Sequence, residues 1–201
     1  MDREKIRKHN LCFFDFWAKT YDWSILKPWL FYLQKKATGY VDINKKINVL
    51  DVGCGTGDTL RILSKNSRAK LYGIDLSENM LERARKKLGT RAVLNLGDAD
   101  KLQFRNNFFD YVICTEAFHH FPEPNLTFKE MKRVLKKGGR LILTDVNFYS
   151  NFIHWLFKII EPGHVKIYSE GEFRDFFVKN NFKIEKQQRI GLFAILAIGK
   201  K

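Results

Sequence analysis

Asn48-Val49-Leu50-Asp51-Val52-Gly53-Cys54-Gly55-Thr56-Gly57-Asp58 is the stretch of this 201-residue chain that decides its fold. A short apolar run bounded by turn residues reads as a buried strand. Three glycines at alternate positions then let the backbone turn sharply and approach a ligand closely, because no Cβ stands in the way. From Thr56 the chain resumes helical character through Thr59-Leu60-Arg61-Ile62-Leu63. Strand, glycine loop and helix together are the nucleotide-binding arrangement of α/β proteins. The spacing is Gly-x-Gly-x-Gly, however, and not the Gly-x-Gly-x-x-Gly of dinucleotide binders. A tight connection with no ligand is the plainer alternative, but three close glycines would weaken a purely structural loop.

The acids beside the loop select among ligands. Asp51 ends the strand and Asp58 opens the helix, where a pyrophosphate would otherwise rest on free N–H groups. Two carboxylates there repel a dianion and suit a ligand with an ammonium and a second positive centre. S-adenosyl-L-methionine has both. The motif resembles the first motif, Asp/Glu-x-Gly-x-Gly-x-Gly, of the class I, Rossmann-like methyltransferases. That resemblance implies a cofactor cradle made of Asp51, Gly53, Cys54, Gly55, Thr56 and Gly57.

Working outward, Lys70–Asp75 reads as the second strand, with Asp75 lying 18 residues beyond Gly57. A carboxylate at that point is placed to accept both ribose hydroxyls of a nucleoside, while Ser77 suits the N-cap of helix 78–88. The third strand is read over 91–96, followed by Gly97-Asp98-Ala99-Asp100. In the resembled family this turn meets the adenine, which implies Asp98 first and Asp100 second as acceptors of its amine; a generic aspartate turn is the alternative. The resemblance adds Leu76, Met80 and Ala99 to the same surface. The fourth strand, 109–114, is a strongly apolar run, as in the middle of a parallel sheet, and opens into Thr115-Glu116-Ala117-Phe118-His119-His120-Phe121-Pro122.

This last segment resembles the post-strand segment of the family's small-molecule enzymes, with His before a hydrophobic residue and Pro. It lacks the Asn/Asp-Pro-Pro-Tyr/Phe signature of enzymes that methylate nucleic-acid amines. No Pro-Cys pair offers the nucleophile of cytosine C5 chemistry. Main-chain groups of Gly53 and Thr115 are implied to hold the methionine moiety, with Glu116 adding to a negative basin. His119 and His120 are adjacent, which makes a poor metal pair, and no metal site is expected. His120 is the candidate general base, since an imidazole titrates near neutrality; shaping the pocket is its alternative role.

Helix 125–137, stopped by Gly138-Gly139, and a fifth strand over 140–146 follow. Helix 169–180 leads to two strands, 182–188 and 191–198, joined by a turn at Arg189-Ile190. Two successive strands pair antiparallel, so the expected architecture is a doubly wound, mostly parallel seven-stranded sheet with its last strand reversed. The expected organisation is a helical N-terminal cap over 1–45 and a cofactor-binding domain over 46–201, with 147–168 as a lid or acceptor insertion.

Residues 11–33 crowd nine aromatic side chains together, including three of the four tryptophans. Within them, Ala18-Lys19-Thr20-Tyr21-Asp22 resembles the Ala-x-x-Tyr-Asp element of small-molecule methyltransferases, implying Tyr21 at the active-site mouth. Packing the cap onto the domain is the alternative. Asn147, Asn151, His154 and Lys158 form one polar stripe on a stretch over 147–160 that is apolar apart from Ser150, which suits a pocket lid, an interfacial helix or a helix buried against 11–33.

Composition bounds the rest. A net charge of +14 implies attraction to something anionic, whether nucleic acid, membrane or acidic substrate, with a merely lysine-rich, well-solvated surface as the alternative. Three scattered cysteines predict reduced thiols and a cytoplasmic protein. No signal peptide and no spanning segment are read. The expected function is methylation of a small, hydrophobic, membrane-derived acceptor, closest in resemblance to ubiquinone/menaquinone-type methyltransferases, with peripheral contact to anionic membrane. RNA or protein methylation, and a non-catalytic cofactor-binding subunit, are the alternatives. Oligomeric state is not readable.

Overall fold

The computed structural model describes residues 3–18, 25–65, 68–148, 165–191 and 193–201. Two helices come first, α1 (Arg3–Trp17) and α2 (Lys27–Thr38). The segment β1 (Asn48–Val52), α3 (Asp58–Leu63), β2 (Lys70–Asp75), α4 (Glu78–Leu88) and β3 (Val93–Leu96) then alternates strand with helix. Next come β4 (Phe109–Thr115), α5 (Pro124–Val134), β5 (Leu135–Val146), α6 (Glu170–Lys179), β6 (Lys183–Ile190) and β7 (Ala194–Lys200).

The strands form one sheet in the order β3-β2-β1-β4-β5-β7-β6. The first five are parallel to one another, and β7 lies antiparallel between β5 and β6. This is the doubly wound sheet expected, with its last strand reversed.

Side chains alternate across the strands, so each strand feeds two cores. Leu50, Val112 and Leu141 point to one face, where Phe128 and Met131 of α5 and Phe173 and Phe177 of α6 cover them. Val49, Ile113 and Ile142 point to the other, under Leu33 and Ala37 of α2, Leu60 and Leu63 of α3, and Leu81 and Ala84 of α4. A strand buried on both faces is apolar on both, which is why Tyr111–Cys114 of β4 read as a continuous run rather than an alternating one.

The chain switches faces between β1 and β4, and a crevice opens outside the strand C-termini at such a switch point. Ser77 caps α4 by accepting the Met80 N–H, as expected. Ser169 and Glu172 make a reciprocal capping box on α6.

Three boundaries differ from the sequence reading. Helix α5 ends at Val134, because Leu135 pairs with Phe109 and Lys136 turns to form an ion pair with Asp110. The pairing slips at that point, and Gly138-Gly139 lie inside the strand's irregular start instead of stopping a helix. Strand β3 begins at Val93, preceded by a single helical turn at Gly89–Arg91. Strand β6 runs two residues further than expected, because Arg189 and Ile190 remain paired with Ile195 and Ala194.

Candidate active site

The loops after β1, β2, β3 and β4, together with the end of β5, line one cavity, and α1 and α2 close over it. Its floor is the glycine loop. Gly53, Gly55 and Gly57 all have positive φ, at 71°, 51° and 79°. A Cβ on Gly53 would stand 2.6 Å from the Ala117 Cβ, so only glycine lets the β1 loop meet the β4 loop this closely. At Gly55 a Cβ would meet nothing within 4 Å, and this residue opens onto the cavity. The loop is tied to β2: the Gly53 and Cys54 N–H groups donate to the Ile74 carbonyl at 2.9 and 3.1 Å, and the Gly55 N–H donates to Asp75 Oδ2 at 2.7 Å.

Asp75 also accepts the Ser77 N–H on Oδ1 at 2.9 Å. One main-chain donor on each oxygen fixes the carboxylate while leaving each oxygen capacity for a further donor, as a pair of ribose hydroxyls requires. Burial pushes the Asp75 pKa upward, against the lowering effect of these amides.

The predicted residues fall into two groups. Gly53, Cys54, Gly55, Asp75, Leu76, Met80, Asp98, Ala99, Thr115, Glu116 and His120 border the cavity. Asp51, Thr56 and Gly57 do not border it. Asp51 is buried, and neither carboxylate oxygen has a partner among the described residues. Desolvation, and then the charge of Asp75, raise its pKa to about 8. Tyr21 and residues 149–160 of the striped segment lie outside the described residues.

Asp58 does not add negative charge to the site. It is buried beneath Lys27, Lys87 and Arg61, which compensate it. Asp98 faces the cavity but is paired with Arg7 of α1, which also reaches Asp100 at 3.1 Å. The remaining acids on the lining, Asp75 and Glu116, still leave it more anionic than cationic, which disfavours a polyphosphate. Among the described residues no cluster of histidine, cysteine or carboxylate side chains suits a metal.

Three features were not drawn from the sequence. Helix α1 covers the Asp75–Asp98 end of the cavity: besides Arg7, Asn10 donates to the His120 carbonyl at 2.8 Å, Ser77 donates to Asp15, and Phe14 sets its ring edge-on to His120. The residues on either side of 149–164 are joined, with Asn147 Nδ2 donating to the Tyr168 carbonyl at 2.8 Å. Finally, His119 is bonded to Asp145 at the tip of β5. An acid at a strand's C-terminal end was the signal that pointed to Asp51, Asp75 and Asp98, and Asp145 carries the same signal.

The cradle fits a cationic nucleoside thioether: Asp75 for the ribose, the Gly55 edge for close approach, and carboxylates where phosphate donors would otherwise be needed. Among the described residues no helix is long and apolar enough to cross a membrane.

Comparison with known proteins agrees with this geometry. Residues 50–143 match the family described as methyltransferase domain. The demethylmenaquinone methyltransferase of Staphylococcus aureus (strain MRSA252) is 33% identical over 148 residues, covering 69% of this chain and 61% of that protein. The chain thus spans about three fifths of the length of the curated relatives it matches. Among solved structures, a chain from the complex of the Haloferax volcanii Trm112 methyltransferase activator superposes with a TM-score of 0.83 at 23% identity, covering 93% of this chain and 96% of that one. A SAM-dependent methyltransferase from Aquifex aeolicus gives 0.71 at 22% identity, covering 99% and 98%. At these identities the structures share the fold. Residues 50–143 thus match the methyltransferase domain family, the seven-stranded sheet has the class I, Rossmann-like methyltransferase fold, and the chain resembles the quinone-methylating enzymes.

Proposed function

We propose that this protein transfers a methyl group from S-adenosylmethionine to a small, hydrophobic acceptor that carries a ring. The observation that carries the reading is the composition of the cavity. Its floor is the acid-fixed glycine loop, and its other wall is apolar and aromatic, built from Phe14, Leu26, Trp29, Leu30, Phe121 and Pro122. When bound, the cofactor supplies an electrophilic methyl group on sulfur. Asp75 would hold the ribose, Asp98 the adenine once Arg7 yields it, and the Gly53 and Thr115 main chain the methionine end.

Such a transfer needs alignment and exclusion of water more than a large set of reactive groups. Helices α1 and α2 supply the exclusion by roofing the cavity. The aromatic wall would align a flat acceptor. The relatives named demethylmenaquinone methyltransferase support an acceptor of this kind, drawn from the membrane.

The net charge of +14 favours a second reading, transfer to RNA or protein. A radiolabelled methyl-transfer screen with lipid extract, small phenols and RNA as acceptors separates the two. Label in the organic phase supports the proposal. Label confined to RNA or protein, with binding that weakens steeply in salt, would replace it.

A further inference from the structure

Helix α2 buries one face, made of Leu30, Leu33, Gln34, Ala37 and Thr38. Two of these are polar. Thr38 satisfies its hydroxyl within the helix, by donating to the Lys35 carbonyl at 3.1 Å. Gln34 is only 7% exposed, and its Oε1 is sealed off with no hydrogen-bond partner among the described residues. Its side chain nonetheless borders the cavity, and Nε2 is not among the sealed atoms. The donor end of the amide is therefore the end that reaches the cavity. Burying an amide in this state costs stability, and methionine would fill the same space without that cost. Packing of α2 gives no reason for an amide here; a ligand in the cavity does.

The position of α2 says which part of a ligand Gln34 meets. Lys27 pairs with Asp58 at the start of α3, and one turn on the Arg61 guanidinium lies 6.0 Å from the Phe31 ring. The two helices thus run side by side. Leu33 and Ala37, next to Gln34 on the buried face, cover Ile113 of β4 and Ile142 of β5. Helix α1 packs on α4 instead, over the Asp75–Asp98 end. In the strand order β3-β2-β1-β4-β5, Gln34 lies on the β4–β5 side of the glycine loop and the ribose and adenine acids on the other.

That side is where the Gly53 and Thr115 main chain would receive the methionine end of the cofactor. This end carries a carboxylate as well as an ammonium. Asp75, Asp98 and Glu116 on the lining repel a carboxylate, and among the described lining residues Arg7 alone is an arginine or lysine. Arg7 is held at the far end by Asp98 and Asp100. A carboxylate in this cavity therefore has to be held by neutral donors. Thr59 and Thr115 share a hydrogen bond of 3.0 Å between their hydroxyls, and Asn10 donates to the His120 carbonyl. The Gln34 amide has two N–H donors to offer.

We infer that Gln34 recognises the amino-acid end of the cofactor, with Nε2 donating to its carboxylate. This rests on the cofactor reading of the site and deepens it. It makes α2 a recognition element for the methionine end as well as a roof over the cavity. A hydrogen bond to a charged group is worth about tenfold to 10²-fold in affinity.

Calorimetric titration with S-adenosylmethionine and with its decarboxylated form tests the inference, because the second ligand keeps the sulfonium and the ammonium and lacks only the carboxylate. Gln34→Met should weaken S-adenosylmethionine about tenfold or more and leave the decarboxylated form within about twofold of wild type. Gln34→Glu sets a like charge against the carboxylate, so it should lose more than Gln34→Met on S-adenosylmethionine and not on the decarboxylated form. Without ligand, Gln34→Met should resist urea at least as well as wild type, since the unpartnered oxygen is gone.

Equal losses on the two ligands would mean that Gln34 only seats α2, and overturn the inference. Unchanged affinity for both, with a raised KM for the methyl acceptor, overturns it by assigning the amide to the acceptor. Tighter binding of S-adenosylmethionine by Gln34→Glu overturns it in favour of the ammonium. A wild type that binds neither ligand removes the underlying cofactor reading instead. Should Gln34→Met fail to fold, Gln34→Glu with the same two ligands decides alone.

Discussion

Asp51 is the residue whose physical state is most exposed to test. Its carboxyl is buried, without a partner for either oxygen among the described residues, and its pKa is raised from 3.8 to about 8. The unfolded chain releases this proton near 3.8, whereas the folded chain keeps it until about 8. Between those values the unfolded state binds fewer protons, so this group makes stability fall as pH rises, and outside the window it contributes no slope. Within the window each pH unit is worth about 1.4 kcal/mol, so moving from pH about 5 to about 8 costs a rigid site about 4 kcal/mol. Water penetration and relaxation reduce such figures, and about 2 kcal/mol is expected. In Asp51→Asn the side-chain amide cannot titrate. Urea denaturation of wild type and this variant at the two pH values should therefore show the variant gaining about 2 kcal/mol on wild type as pH is raised. Parallel pH dependence of the two proteins would refute the reasoning, because it would mean that Asp51 is already ionised at pH about 5.

Two further substitutions probe the loop and its roof. Gly53→Ala combines a positive φ with a Cβ 2.6 Å from Ala117, and should cost about 2 kcal/mol or more in denaturant unfolding while weakening cofactor binding; wild-type stability would show that the β4 loop yields freely. Arg7→Ala removes the tie to the partly exposed Asp98 and the buried Asp100, whose carboxylate keeps Thr127 as a donor, so global stability should change by only about 1 kcal/mol. Hydrogen exchange of the α1 amides should nonetheless accelerate, and unchanged exchange would mean that this ion pair does not hold the helix down.

Much of this was legible in the chain because the signals were local. The glycine loop, the acids ending β2 and β3, and the apolar run of β4 each declare themselves within about ten residues. The order of strands followed from alternation of strand and helix, and the reversed β7 from two strands in succession. What was not legible depends on contacts between distant residues. Asp58 looks like Asp51 in sequence, yet Lys27 and Lys87, 31 and 29 residues away, compensate it. Arg7 meets Asp100 across 93 residues, so nothing near Asp98 marks it as paired. His120 was the candidate base by adjacency to Phe121-Pro122. His119 has a carboxylate partner that its neighbours in sequence do not announce, because Asp145 stands 26 residues away. The end of α5 was misplaced for a different reason: lysines suit a helix C-terminus, but the pairing of Leu135 with Phe109 takes the backbone first.

The central claim is that this crevice holds a cationic nucleoside through a carboxylate at the tip of β2. Isothermal titration of S-adenosylmethionine into wild type and Asp75→Ala tests it most directly. The account predicts saturable binding to wild type and a loss of two hydrogen bonds to a charged acceptor in the variant, each worth about 1.5–3 kcal/mol, hence a fall in affinity of at least about 10²-fold. Near-equal affinity of the two proteins, with both folded, would contradict it.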